Sequence, residues 1–125
     1  MNILNLDQLL EIHAVLINET GGANELRDLG RLEAAIATQT QNVFGQELYQ
    51  NEIEKSAAII RSIIADHPFV DGNKRTAVLA GLTFLNINNI KIELSKGELE
   101  DFAVKIAVEK LDISIISSWL SSKVI

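Results

Sequence analysis

At 125 residues, with 47% apolar and 22% charged side chains, seven glycines and one proline, the chain reads as one folded domain, residues 1–125, able to bury a core. Its net charge of −6 and pI near 4.8 have the wrong sign for broad binding to nucleic acid or anionic membranes. The absence of Cys excludes disulfides and thiolate metal sites, two well-separated His argue against zinc, and neither a basic-then-apolar leader nor an apolar run of membrane-spanning length is present, so a cytoplasmic location is expected.

Asp7 reads as the N-cap of a first helix running to about Ile17, with Leu6, Leu9, Leu10, His13, Leu16 and Ile17 at helical spacing. His13 falls on the apolar face, where a hydrogen-bonded structural histidine is the simplest reading. Asn18-Glu19-Thr20 matches a glycosylation sequon, read as accidental in a cytoplasmic chain, and Thr20-Gly21-Gly22-Ala23-Asn24 is a loop by composition. Asp28 caps a second helix to about Thr38, with Leu29, Leu32, Ala35 and Ile36 on its buried side. From Gln39 to Gln50 no helical period is visible, and the segment reads as a surface loop pinned by Phe44. The third helix, about Asn51 to Asp66, carries Ile53, Ala57, Ile60 and Ile64 on one face and Ile59 and Ile63 on the next, a stripe wide enough to predict a central position.

The stretch from His67 to Thr76 follows, a polar loop that holds the only proline. Pro68 disfavours the helical region for His67, so the third helix should stop there and leave the imidazole at its C-terminal end. His67 can take a proton near neutral pH, and Asp71 is a hard carboxylate suited to Mg²⁺ beside nucleotide phosphates. Gly72 permits close backbone approach or positive φ, while Asn73, Lys74 and Arg75 open the next helix, where free N–H groups and the dipole favour an anion. Arg75 adds a planar fork and Lys74 a point charge. Phe69 and Val70 alternate with the polar residues as core anchors. Together these residues suit a polyphosphate and the proton of an attacking hydroxyl. The plainer alternatives are Asp71 as the N-cap of the following helix and Lys74-Arg75 as a solvated pair.

The fourth helix, about Lys74 to Asn86, is apolar nearly all round and should be enclosed, forming a core pair with the third. Asn88-Asn89 reads as a turn and Ile90 to Leu94 as a short extended segment. Ser95 with Glu98 has the spacing of a capping box for a helix to about Glu109. A last helix from Asp112 would bury Ile113, Ile116, Trp119 and Leu120, with Trp119 as a core clamp. The fold class is all-α, about six helices around a helix–loop–helix site, with at most a short β element.

His67-x-Phe69-x-Asp71-Gly72-Asn73-Lys74-Arg75 resembles the active-site motif of the Fic/Doc superfamily, and Lys74 resembles its Doc, or death-on-curing, branch. The resemblance extends to Ile12-His13, Gly21-Gly22, Asp28, the run from Gly30 to Ile36, and Phe84-Leu85, which is nearly the whole chain. It implies a compact Fic/Doc bundle with His67 as catalytic base and Phe69 as motif anchor. It further implies Asp71 on Mg²⁺, with Gly72, Asn73, Lys74 and Arg75 on the phosphates of ATP. Val43, Phe44 and Gly45 would lie in a flap that docks the target chain, against the surface-loop reading above.

Doc resemblance implies a toxin of a toxin–antitoxin pair that transfers the γ-phosphate of ATP to a Ser/Thr hydroxyl of elongation factor Tu and so inhibits translation. Fic members that transfer AMP carry Gly where this chain has Lys74 and a second Arg where it has Val78. A Lys side chain fills the space that Gly leaves open and moves the positive charge, which favours the opposite orientation of the triphosphate. His67-Pro68-Phe69 and Gly72 also occur among AMP-transferring members, so nucleotidyl transfer stays open, as does a non-catalytic module that binds phosphate or protein. No Ser or Thr begins the inhibitory S/T-x-x-x-E-G/N segment of self-inhibited Fic proteins, so inhibition would come from a separate small antitoxin.

Overall fold

A computed structural model describes residues 1–125. The elements in order are α1 (Leu6–Thr20), α2 (Leu29–Ala37), β1 (Asn42–Val43), β2 (Gln46–Glu47), α3 (Glu52–Asp66), α4 (Asn73–Ile87), α5 (Glu98–Glu109) and α6 (Ile113–Ser122). This is the all-α bundle of six helices that the periodicity predicts. No helix is long and apolar enough to cross a membrane.

The helix ends follow capping chemistry. α1 starts earlier than Asp7, because Asn5 and Gln8 form a reciprocal capping box that leaves Asp7 within the first turn. It also runs past Ile17 to Thr20, where Gly21 closes it with an N–H to the Ile17 carbonyl. Asp28, Asn51 and Asp112 each accept a backbone N–H as N-caps of α2, α3 and α6. Ser95 and Glu98 do not make the expected box. Gly97 is the cap of α5, with φ 82°, and the Glu98 carboxylate instead folds back onto the Ser95 N–H at 3.2 Å and onto Lys123 Nζ at 2.6 Å.

α3 is the central helix, buried from Lys55 through Ile60 and again at Ile63 and Ile64. It packs along α4 at a tight crossing, where Ser56 Oγ donates to the Gly81 carbonyl at 2.8 Å. A Cβ on Gly81 would lie 2.5 Å from the side chain of Ile60. One core cluster draws on all six helices, including Leu9, Leu32, Ile63, Phe84, Ile106 and Ile116. Trp119 clamps it from one side, stacked on Phe102 with ring centroids 3.9 Å apart.

Three further expectations change. α4 is not fully enclosed: Leu79 is exposed, because α1 and α5 flank this helix without meeting over it, and Leu82 is half-buried in a shallow cleft with Ile90, Ile92 and Ile125. The β element is also elsewhere than in 90–94, a stretch that only bridges the C-terminus through Ile92 and Val124. The strands lie in the segment read as a loop, where Asn42 pairs with Glu47 and Val43 with Gln46. Phe44 and Gly45 form the turn with φ of 52° and 81°, the left-handed pair that a tight hairpin requires. Phe44 does not pin this segment, since its ring is fully exposed.

Candidate active site

α3 ends at Asp66, the stop that the proline after His67 predicts, and His67 caps it in the left-handed region (φ 48°, ψ 62°). This conformation turns the chain sharply and leaves the imidazole exposed. His67 Nδ1 lies 3.3 Å from the Ala65 carbonyl. A carbonyl only accepts, so Nδ1 is the donor in that contact, and Nε2 makes no hydrogen bond within the chain. Arg27 Nε donates to the His67 carbonyl at 2.7 Å, while Arg27 Nη2 and Arg31 Nη1 donate to the Asp66 carbonyl at 2.9 and 2.8 Å. Two guanidiniums thus cover the negative end of α3 directly beneath the imidazole.

The loop after His67 is held from both sides. The chain at 25–28 bonds to it through Val70 N–H to the Glu25 carbonyl at 3.0 Å, and through the Arg27 and Asp28 N–H groups to the Pro68 carbonyl at 2.7 and 3.0 Å. Phe69 is buried and stacks face to face on His13, with centroids 3.7 Å apart. His13 Nε2 then donates to the Asp71 carbonyl at 2.7 Å, so this buried histidine is a structural clamp of the loop. Val70, the other expected anchor, is exposed.

Asp71 is not the cap of α4. Its Oδ2 accepts the Ala23 N–H at 2.8 Å, and its side chain packs on Gly22, so the Gly21-Gly22-Ala23 turn seats the carboxylate. The cap is Gly72 (φ 79°), which makes no side-chain hydrogen bond and leaves the first N–H groups of α4 open to a ligand. Only glycine suits that position, for a Cβ there would lie 3.0 Å from Ile17 Cδ1.

Asn73 is buried and its amide is fully engaged, Oδ1 accepting the Phe69 N–H at 2.9 Å and Nδ2 donating to the Phe69 carbonyl at 2.8 Å. What Asn73 can offer a phosphate is therefore its backbone N–H. Lys74 and Arg75 are exposed, and no carboxylate lies within ion-pairing distance of either. They line one end of a cleft of about 490 Å³ between α1, α4 and α5, whose wall includes the buried Val78. His67 faces a second, smaller cleft of about 240 Å³, shared with Arg61 and Lys110.

The parts that the motif alone does not disclose are the supports. Arg27, Arg31, the Gly22-Ala23 seat and the His13 clamp are distant in sequence from the loop they hold. His13, Gly22 and Arg31 fall in stretches that carry the family resemblance, whereas Arg27 has no signal beyond its place beside a helix N-cap.

A sequence model of the Fic/DOC family matches residues 3–85. The chain is 36% identical over 103 residues to a protein named toxin Doc from Mycolicibacterium smegmatis, covering 81% of this chain and 79% of that relative. It is 30% identical over 120 residues to protein kinase doc of Escherichia phage P1, covering 96% of this chain and 94% of that one. With its uncapped α4 N-terminus, exposed imidazole and seated carboxylate meeting in one loop, the chain belongs to the Fic/DOC family, on its Doc branch.

Proposed function

We propose that this Doc-like protein is a toxin that transfers the γ-phosphate of ATP to a Ser/Thr hydroxyl of a protein target, with elongation factor Tu the target that the family resemblance implies. The observation that carries the reading is that His67, whose Nε2 makes no hydrogen bond within the chain, and the N-terminus of α4, left without a side-chain cap, stand at the two ends of one short loop. In the reaction the target's hydroxyl oxygen attacks the γ-phosphorus and its proton passes to Nε2. The bond to the bridging oxygen then breaks, and ADP leaves. The N–H groups of Asn73, Lys74 and Arg75, with the two cationic side chains, bind the phosphates and stabilise the charge that develops on them.

Asp71 fits a shared Mg²⁺ site, because Ala23 engages only Oδ2 and leaves Oδ1 for a hard cation. Bound there, the ion would neutralise phosphate charge. Phosphoryl transfer is favoured over AMP transfer by the cleft beside Arg75: Val78 closes it with apolar surface, so no second arginine is available on the next turn. The kinase name of the phage relative points the same way.

An antitoxin chain fits the long face of α4. Two adjoining clefts share Leu16, Glu19 and Leu79 and run from Ile87 to Arg75, so a segment laid along them would end on the phosphate site. Exposed Val15, Leu79 and Val104 border this route.

The test of the catalytic reading is His67→Ala, followed by phosphate transfer and by calorimetric titration with ATP and Mg²⁺. Transfer should fall roughly 10²–10⁴-fold while nucleotide affinity stays within about threefold. Wild-type protein that binds nucleotide and transfers nothing to any target would instead mark a binding module.

A further inference from the structure

His67 stands at positive φ (48°), a backbone state that a residue with a side chain keeps only where its surroundings impose it. The bonds around it form two sets. From Pro68 onward they are main-chain: the Arg27 and Asp28 N–H groups reach the Pro68 carbonyl and the Val70 N–H reaches the Glu25 carbonyl, bonds that any residue but proline at position 27 would keep. The carbonyls of Asp66 and His67 accept no backbone N–H. Side chains alone hold them, Arg27 Nε at the His67 carbonyl (2.7 Å) and Arg27 Nη2 with Arg31 Nη1 at the Asp66 carbonyl (2.9 and 2.8 Å).

These two carbonyls belong to the peptide groups on either side of the His67 Cα. One edge of the planar Arg27 guanidinium bridges them, so it fixes how the two peptides are turned relative to each other, which is to say φ and ψ of His67. Arg31 holds only the first of the pair and is also drawn to the Asp28 carboxylate at 3.4 Å. Arg27 has no such second task, for its side chain is exposed and makes no ion pair. The backbone of His67 in turn sets where its ring lies. Nδ1 meets the Ala65 carbonyl at 3.3 Å, a long contact that a modest backbone rotation would lose.

We propose that Arg27 is a positioning residue for catalysis: by gripping the peptides that flank His67 it keeps Nδ1 on the Ala65 carbonyl, and so selects the tautomer whose Nε2 can take the proton of the attacking hydroxyl. The Ala65 carbonyl then orients the base as a third group does in a catalytic triad. The proposal rests on His67 acting as the base.

The chain has two histidines, and His67→Ala identifies the signals of the exposed one, so imidazole ¹⁵N spectra in alkaline solution can read the tautomer of His67 directly. In wild type the Nδ1–H form should predominate. In Arg27→Gln it should give way to the Nε2–H form that imidazole prefers in water, and kcat for transfer should fall roughly 10–10²-fold, with the KM for ATP within about twofold. Arg27→Lys, which keeps the charge but lacks the planar fork, should recover only part of either and serves also should Arg27→Gln fail to fold. Combined with His67→Ala, Arg27→Gln should cost nothing further, since it acts through the imidazole. An unchanged tautomer in Arg27→Gln, or full recovery in Arg27→Lys, would overturn the grip on two carbonyls. A changed tautomer with kcat within about twofold of wild type, or a further loss in the double variant as large as in Arg27→Gln alone, would overturn its part in catalysis. If wild type transfers nothing to any protein, the base reading and the catalytic part fall together, while the spectra still decide the grip.

Discussion

At the scale of single residues, the site divides side chains that meet a ligand from side chains that hold the backbone. His67, Asp71, Lys74 and Arg75 are exposed, while Phe69 and Asn73 are buried in the same ten-residue loop. Asn73→Ala would leave both the N–H and the carbonyl of Phe69 without partners, a loss of about 1–3 kcal/mol for each buried group left unpaired. Urea unfolding should therefore show a lower midpoint for Asn73→Ala. A midpoint equal to wild type, with loss of ATP affinity alone, would return the amide to the phosphate. The sequence makes the chemistry of these residues legible through their types and order. Which way each side chain turns was not legible, because an asparagine that opens a helix can face a phosphate or fold back on the chain before it, and only the path of the loop decides.

At the scale of elements, the α3–α4 crossing is the most constrained contact. Gly81→Ala would place a methyl against Ile60 and Ser56, and the overpacking should cost about 1–3 kcal/mol, visible as a lower urea midpoint. A midpoint at or above wild type would mean that α4 can move away freely. The Lys123 ammonium, followed by the Ser95 backbone N–H, holds the Glu98 carboxyl below the usual carboxylate range. A carboxylate depressed in this way contributes stability above its unfolded pKa and loses it as pH falls through the folded value. Thermal melts of wild type should thus fall more steeply on acidification below the ordinary carboxylate range than those of Glu98→Gln, and parallel curves would deny the pair any part. Helical period and capping residues made the six helices readable to within a few residues. The hairpin escaped because its strands are too short for alternation and its turn is Phe-Gly, outside the usual Asn-Gly signal.

At the scale of the whole molecule, an acidic protein of net charge −6 keeps unpaired cations at one end of the α4 cleft, where a nucleotide would be drawn in. The apolar flank of the same cleft was partly foreseeable from an α4 that is apolar all round, but exposure depends on how far α1 and α5 close over it. Leu79→Asp, at the centre of that flank, should weaken antitoxin binding about tenfold or more, equivalent to roughly 1.4 kcal/mol, and leave transfer within about twofold. Titration of the purified pair would show it, and unaltered affinity would move the antitoxin off this face. The central claim, that His67 directs a hydroxyl to the γ-phosphorus, is met most directly by giving the protein ATP labelled at either the γ- or the α-phosphate, with Mg²⁺ and its target. Label should reach the target from the γ position alone, and none should appear with His67→Ala. Label from the α position would contradict it and place the protein among the AMP transferases.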